Sequence, residues 1–319
     1  RWSPIAQVPP PKNMGISQYI KEIGRGPRGS KPLTREQAAD LFGQLLDGNV
    51  TDLEIGAFCL AMRIKGETPE EMCGFLDAAH SRMALFPASD RPVIVLPSYN
   101  GARKLPVLTP LLALLLAREG LPVLLHGMRT EARRTLASDV LLALGVPALT
   151  APEKIATGSV AHIETGYLHA ALARLLKVRE VVGLRNAGHS IVKLMNPCAG
   201  PAVVVTSYTH PEYYDMLQAT FGALHMTALL SRGLEGEVAT DPRRTPRYDA
   251  FVAGVHQLLQ EQQPGTAADV PGLPTEIDID TTARYTQDVL DGRLPVPPAL
   301  AQQVEHILHL AAQTPPHAP

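Results

Sequence analysis

The chain has 319 residues, of which 45% are hydrophobic and 19% are charged. This length and composition are typical of a globular protein with about two domains, and they exclude a chain that is disordered throughout. The formal net charge of −2 does not by itself indicate a nucleic-acid or membrane protein. The charge is unevenly distributed, however, because residues 98–197 carry twelve basic and six acidic side chains, a net of +6.

The three cysteines, Cys59, Cys73 and Cys198, have neither the spacing of a metal site nor that of a disulfide framework. Their use fits a reducing compartment, so we expect a cytoplasmic protein. The sequence has no apolar run long enough to span a bilayer, and no membrane partner is predicted. Residues 1–13 are predicted to be a disordered extension and residues 313–319 a disordered tail.

Three capping boxes mark helix starts in the first part of the chain. Thr34, Thr51 and Thr68 are each followed three residues later by Gln or Glu, and apolar residues then recur at helical spacing. The predicted helices cover residues 16–23, 35–47, 52–65 and 69–83. The sequence therefore predicts a small helical domain over residues 14–88.

From residue 91 onward, buried strands alternate with helices. The predicted strands are Pro92–Leu96, Pro122–Leu125, Ala202–Thr206 and Met226–Leu230, and the predicted helices are Thr109–Arg118, Ala137–Leu144, Gly166–Leu176, Tyr213–Phe221 and Tyr248–Gln260. This alternation is typical of a parallel sheet with helices on both faces. We expect an α/β fold, with a small all-α helical domain plus a larger α/β domain that has a mostly parallel central sheet. The larger domain is expected at residues 89–164 and 188–312, and a helical segment near 165–187 is expected to join the helical domain.

Two short loops follow the first two predicted strands and carry glycine, histidine and basic side chains. The first loop is Ser98-Tyr99-Asn100-Gly101-Ala102-Arg103-Lys104, and the second is His126-Gly127-Met128-Arg129. Ligands of open α/β sheets bind beyond the carboxyl ends of the strands, so the two loops predict an anion site. Taken singly, Gly101 also fits a plain turn and His126 a hydrogen-bonded core histidine.

These features resemble the anthranilate phosphoribosyltransferase and nucleoside phosphorylase superfamily. The shared pattern includes the helical start, both loops, and Arg185 ahead of a Leu-x-Asn-Pro stretch, and it extends from Met14 over nearly the whole chain. The segments that resemble the YbiB-type branch are residues 20–26, 62–67, 97–104, 207–213 and 235–238. Members of that branch look like DNA-binding relatives of the enzyme.

The chain departs from the enzyme's pattern where the resemblance implies phosphate and metal binding. The enzyme's Gly-Thr-Gly-Gly-Asp loop is replaced by one that keeps only Gly101, and its paired serines correspond to Ala132-Arg133. Its Asp-Glu pair, which should hold magnesium, corresponds to Gly236-Glu237, so one hard oxygen ligand is missing. The candidates for phosphate or substrate binding are Ser98, Asn100, Gly101, His126, Gly127, Arg129, Arg134 and Arg185. Glu237 is a magnesium ligand only if the chain is a transferase.

Three functions remain open at this point. The first, which the resemblance favours, is sequence-independent binding of DNA or RNA on a scaffold whose catalytic motifs are degenerate, without a cofactor. Its candidate residues are Lys21, Arg25, Arg103, Lys104, Arg129, Arg133, Arg134, Arg174, Lys177 and Lys193. The second is a magnesium-dependent phosphoribosyl transfer in which Arg185 orients the acceptor, and the third is a non-catalytic small-anion-binding dimer. A homodimer through the helical domain is expected, and an aromatic content of 5% disfavours base stacking as the main binding mode.

Overall fold

The computed structural model describes residues 15–26 and 28–315, so the predicted extension and the last four residues of the predicted tail lie outside the described residues. The helices are α1 (Ser17–Ile23), α2 (Arg35–Leu46), α3 (Asp52–Lys65), α4 (Pro69–His80), α5 (Thr109–Arg118), α6 (Ala137–Ala143), α7 (Thr165–Leu168), α8 (Ala170–Val182), α9 (Gly188–Leu194), α10 (Tyr214–Ala223), α11 (Ile279–Leu290) and α12 (Pro298–Gln313). The strands are β1 (Val93–Pro97), β2 (Val123–Gly127), β3 (Ala148–Leu149), β4 (Val160–Glu164), β5 (Ala202–Tyr208), β6 (Ala228–Arg232), β7 (Tyr248–Val252) and β8 (Val255–Gln260).

Helices α1 to α4 form the predicted helical bundle. The three capping boxes are confirmed, because the side chain of each capping threonine accepts a hydrogen bond from the third helical N–H, and its backbone N–H donates one to the side chain of that third residue. Inside the bundle, the ring of Phe42 packs against those of Phe58 and Phe75, with centroids 6.2 and 4.9 Å away. Gly74 allows α4 to pack closely on α2, since a Cβ there would lie 2.3 Å from the Arg35 carbonyl oxygen.

The second part of the chain forms one eight-stranded sheet in the order β3-β4-β2-β1-β5-β6-β7-β8. The first six strands in that order are parallel, so their carboxyl ends share one edge, and β7 and β8 are antiparallel. The predicted fold class is confirmed. Side chains alternate between the two faces of β1, as a strand buried on both sides requires. Val93 and Val95 belong to the apolar core that includes the helical bundle, whereas Ile94 and Leu96 pack with α5 and α12.

The segment near residues 165–187 packs on the helical bundle. Leu168, Leu172 and Leu176 are buried in the same apolar cluster as the bundle phenylalanines. The backbone N–H of Ala84, just after the bundle, donates a hydrogen bond to the Leu168 carbonyl at 2.9 Å. Helix α8 therefore connects the bundle to the loops at the carboxyl edge of the sheet.

The helix predicted at Tyr248–Gln260 is wrong, because these residues form the antiparallel hairpin of β7 and β8. The turn lies at Ala253 and Gly254, whose φ angles of +47° and +82° reverse the chain as in a two-residue hairpin. Leu229 of β6 pairs with Ala250 of β7, so the hairpin extends the sheet at its edge. Strands β3 and β4 and helices α11 and α12 were not predicted.

One face of α3 exposes a stripe of large apolar side chains. Leu53, Leu60 and Ile64 recur at helical spacing, and they are 83%, 46% and 64% exposed. Contiguous apolar surface of this kind is typical of a protein interaction site. Among the residues that the structure describes, no helix is long and apolar enough to cross a membrane.

Candidate functional site

The loop after β1 (residues 98–108, the β1 loop) is tied down by the carboxylate of Glu237. One carboxylate oxygen, Oε2, accepts hydrogen bonds from Ser98 Oγ at 2.7 Å and Thr109 Oγ1 at 2.9 Å. The other, Oε1, accepts from the backbone N–H groups of Asn100 at 3.1 Å and Gly101 at 2.8 Å. Glu237 is only 5% exposed. Backbone N–H groups of such a loop are the usual donors to a phosphate, and here an internal carboxylate occupies them.

A second carboxylate binds the next part of the same loop. Glu235 Oε2 accepts from the backbone N–H groups of Arg103 at 2.9 Å and Lys104 at 3.2 Å. Its other oxygen lies 3.7 Å from Arg103 Nε, a long ion pair to a side chain that is 63% exposed. The basic side chains of Arg103 and Lys104 are both exposed to solvent. The Glu235 carboxylate therefore binds the backbone of this segment, while the two basic side chains face solvent.

The residues at positions 236 and 237 do not fit a magnesium site. Both oxygens of Glu237 already accept hydrogen bonds, and Gly236 has a φ of +84°, which disfavours any residue with a side chain. A Cβ at Gly236 would lie 2.1 Å from Asn100 Nδ2, so an acidic side chain there would require the Asn100 side chain to move. The described residues contain no group of three or more His, Cys, Asp or Glu side chains that could hold a metal ion.

The loop after β2 (residues 128–136, the β2 loop) holds its arginines in ion pairs. Arg129 contacts Asp139 at 2.5 Å and donates to the Arg134 carbonyl at 2.7 Å. Arg134 pairs with Glu131, which also accepts a 2.8 Å hydrogen bond from Arg179 of α8. Arg129 and Arg133 are both exposed, and Arg133 differs from the other two arginines of the loop in having no ion pair among the described residues.

His126 and Gly127 lie at the end of β2, beneath these loops. His126 is fully buried, and neither ring nitrogen has a hydrogen-bond partner among the described residues. Burial lowers the pKa of His126 to about 3, so the ring is neutral at pH 7. Gly127 permits a close approach of the two loops, since a Cβ there would lie 1.8 Å from the Ser98 carbonyl oxygen.

Arg185 lies at the connection between α8 and α9 and faces the β1 loop. Its Nη2 donates a 2.6 Å hydrogen bond to Asn100 Oδ1, and its Cζ is 5.9 Å from the centroid of the Tyr99 ring. The structure thus brings the predicted residues Asn100 and Arg185 together. It also places Arg185 in the wall of a cavity between the bundle and the sheet.

This cavity, the interdomain pocket, has a volume of about 530 Å³. Its walls come from the α3–α4 connection, from α9 and α10, and from the carboxyl end of β5. Lys193 lines it and donates a hydrogen bond to the Ser207 carbonyl, and burial lowers the pKa of Lys193 to about 8. Three buried polar atoms in its lining residues have no partner among the described residues: His189 Nε2, Thr206 Oγ1 and Ser207 Oγ.

A second cavity of about 510 Å³, the β6 pocket, adjoins the first, since Thr209 lines both. Its basic lining residues are Arg103, Lys104, Arg232, Arg243 and Arg244, against the acidic Glu235 and Asp241. Asp241 pairs with Arg243 at 2.9 Å and with Arg244 at 3.6 Å. The sequence prediction missed the three arginines of the 232–244 segment. The sequence does contain an indication of this loop, because Arg243 and Arg244 lie between two prolines after the predicted strand Met226–Leu230.

The remaining predicted basic residues line neither cavity. Lys21 and Arg25 lie on and just after α1, where Arg25 pairs with Glu22 at 2.6 Å. Arg174 and Lys177 are exposed on α8. The structure therefore groups Arg103, Lys104, Arg185 and Lys193 around the two pockets, and it leaves these four residues and Arg129, Arg133 and Arg134 of the β2 loop apart from them.

Comparison with known proteins supports a common scaffold. Residues 17–83 match the family model for the helical bundle domain of the glycosyl transferase family. The chain is 37% identical to the uncharacterized protein YbiB of Escherichia coli (strain K12) over 91% of this chain and 92% of that protein. It is 28% identical to the anthranilate phosphoribosyltransferase of Persephonella marina over 87% of this chain and 83% of that protein. The crystal structure of anthranilate phosphoribosyltransferase from Thermus thermophilus superposes with a TM-score of 0.69 at 21% identity, covering 92% of this chain and 87% of that one.

Proposed function

The chain belongs to the anthranilate phosphoribosyltransferase superfamily and to its YbiB-like branch, and we propose that it binds the phosphate backbone of nucleic acid along the interdomain and β6 pockets. The observation that carries this proposal is the continuity of the two pockets at Thr209. Together they are lined by eight basic and four acidic residues. The groove therefore carries a net positive charge, which attracts a polyanion and raises its rate of association.

The exposed charges in this groove suit a chain of phosphates better than one small anion. Arg103, Lys104, Arg232 and Arg244 are exposed along the β6 pocket, and Arg185 and Lys193 lie in the adjoining pocket. The acidic Glu235 is turned towards the backbone of the β1 loop. Contacts of this kind go to phosphates and carry no base identity, so binding by this groove is largely independent of sequence.

The hydrogen bonds of the β1 loop argue against the alternative function, phosphoribosyl transfer. In a phosphoribosyl transferase, loop N–H groups would face the pyrophosphate of the donor, and magnesium would bridge it. Here Glu237 accepts hydrogen bonds from two of those N–H groups. A donor pyrophosphate would have to displace a buried carboxylate that accepts four hydrogen bonds, and it would gain no second metal ligand at Gly236.

The test is a titration of labelled duplex and single-stranded DNA at several salt concentrations. We expect tight binding at low salt and a steep loss with added salt, because released counterions supply most of the affinity. The variant R103A/K104A should weaken binding to all sequences alike and reduce the salt slope by about one per lost contact. The matched control is K154A/R293A, which removes two exposed basic side chains outside both pockets.

Two results would contradict the proposal. Absence of binding at low salt would reject nucleic acid as the ligand and favour the small-anion alternative. Equal affinity of R103A/K104A and wild-type protein would place any binding surface outside the β6 pocket.

Phosphoribosyl transfer is the second candidate, favoured by the retained Arg185 and by the 28% identity to a named anthranilate phosphoribosyltransferase. The assay combines the protein with magnesium, anthranilate and the phosphoribosyl donor. We expect no appreciable turnover, because the loop donors are occupied and one metal ligand is missing. Turnover of about one per second or faster would establish the transferase instead.

A further inference from the structure

We propose that the interdomain pocket receives one unpaired, carbonyl-bearing base of a nucleic acid strand bound in the groove. The proposal deepens the nucleic-acid function and rests on it. The volume of about 530 Å³ lies within the range of about 300–1,000 Å³ typical of small-molecule sites, and it is sufficient for a nucleotide.

The polar groups in the pocket wall call for a partner with hydrogen-bonding edges. Thr206 is fully buried and His189 is 3% exposed, yet Thr206 Oγ1 and His189 Nε2 have no partner among the described residues. Buried polar groups without partners are costly, so a ligand that satisfies them binds favourably. A phosphate backbone alone, which lies along the surface, does not reach them.

The donors in this pocket favour a base with carbonyl oxygens. His189 Nδ1 accepts a hydrogen bond from the backbone N–H of Asn186 at 3.2 Å, and burial lowers the pKa of His189 to about 3. The neutral ring therefore carries its proton on Nε2 and presents a donor. Lys193 Nζ adds further donors, since an ammonium has three and one of them is used on the Ser207 carbonyl. Thymine, uracil, guanine and cytosine each carry a carbonyl oxygen that can accept from these groups, whereas adenine has none.

Aromatic side chains line the same pocket. Tyr99 lies edge-on to the His189 ring at 5.8 Å between centroids and has the Arg185 guanidinium 5.9 Å from its centroid. Tyr208 and Tyr213 are half-buried lining residues on the β5 and α10 sides. Stacking on aromatic faces and on arginine is the sequence-tolerant way in which proteins hold unpaired bases.

The pocket is also reachable from the phosphate groove. Thr209, which is exposed, lines both cavities, so a strand along Arg103, Lys104 and Arg232 passes the mouth of the interdomain pocket. Arg63 on the bundle side and Arg185 on the sheet side can each contact a phosphate next to an inserted base. A base held in a duplex cannot enter without unpairing, which adds a cost for double strands.

The experiment compares oligothymidylate with an abasic oligonucleotide of equal length, which keeps every phosphate but has no bases. We expect wild-type protein to bind the thymidine strand about tenfold more tightly than the abasic strand. The variant T206V should lower this ratio at least about threefold while leaving the affinity for the abasic strand unchanged. The control is T165V, because Thr165 is also fully buried with an unpartnered Oγ1 among the described residues but lies outside the pocket.

The possible outcomes distinguish base insertion from backbone binding. Equal affinity of wild-type protein for both strands would overturn base insertion and leave backbone binding intact. An unchanged ratio in T206V would also overturn it, because the base would then be bound elsewhere. Absence of binding to either strand would reject the nucleic-acid function itself.

Discussion

Replacing Glu237 with alanine should destabilise the fold through the β1 loop. The carboxylate accepts hydrogen bonds from the backbone N–H groups of Asn100 and Gly101 and from two hydroxyls, at 2.7 to 3.1 Å. The hydroxyls can rotate towards other acceptors, but the two N–H groups are buried with the loop. An unsatisfied buried donor costs about 1–3 kcal/mol, so we expect a loss of about 4 kcal/mol in the free energy of unfolding. E237Q keeps the shape and one acceptor oxygen, and it should cost about 1–2 kcal/mol.

Urea unfolding monitored by circular dichroism measures these differences, with m-values compared to verify that the same transition is observed. E305A is the control, because Glu305 is exposed on α12 and its removal should change the free energy by less than about 0.5 kcal/mol. If E237A were as stable as E305A, the carboxylate would not hold the loop. A donor pyrophosphate would then no longer be excluded from the loop N–H groups.

Three further predictions concern acid stability, assembly and metal binding. Burial lowers the pKa of His126 to about 3, so between about pH 6.5 and pH 3 the unfolded chain binds more protons than the folded one. Lowering the pH from 7 to 5 should therefore reduce the free energy of unfolding by about 2 kcal/mol through this histidine. Urea unfolding of H126L should lack that part of the pH dependence. An unchanged pH dependence in H126L would contradict the prediction. We expect a homodimer through the apolar stripe of α3, which L60E/I64E should convert to a monomer in sedimentation at micromolar concentration. A wild-type monomer under those conditions would reject that interface. Magnesium with the phosphoribosyl donor should not raise the melting temperature, and a rise of several degrees would show binding that the geometry of Gly236 disfavours.

The parts of the fold that the sequence predicted are those determined by local chemistry. The capping threonines Thr34, Thr51 and Thr68 predicted three helix starts, because capping depends on residues three positions apart. Strands β1 and β2 were predicted because parallel strands buried on both faces are continuously apolar. The error at residues 248–260 arose where the apolar residues of an edge hairpin were taken for a helix and the turn at Ala253-Gly254 was not recognised.

The candidate site depends on contacts that local pattern does not contain. Glu237 meets the β1 loop from 136 residues away, and a sequence motif for a metal ligand gives no indication that its oxygens accept loop N–H groups. The aromatic content of 5% disfavoured base stacking, yet Tyr99, Tyr208 and Tyr213 all line one pocket. Composition averages over the whole chain, so it cannot report such clustering.

The backbone at Gly236 makes the loss of the acidic pair difficult to reverse. Any single substitution that adds a carboxylate there meets Asn100 Nδ2 at 2.1 Å from its Cβ and a φ of +84°. The Asn100 side chain would have to turn away or be replaced, and either change disrupts the hydrogen bond that its Oδ1 accepts from Arg185. Restoring the acidic pair would therefore cost both backbone strain at Gly236 and the contact that holds Arg185 against the β1 loop.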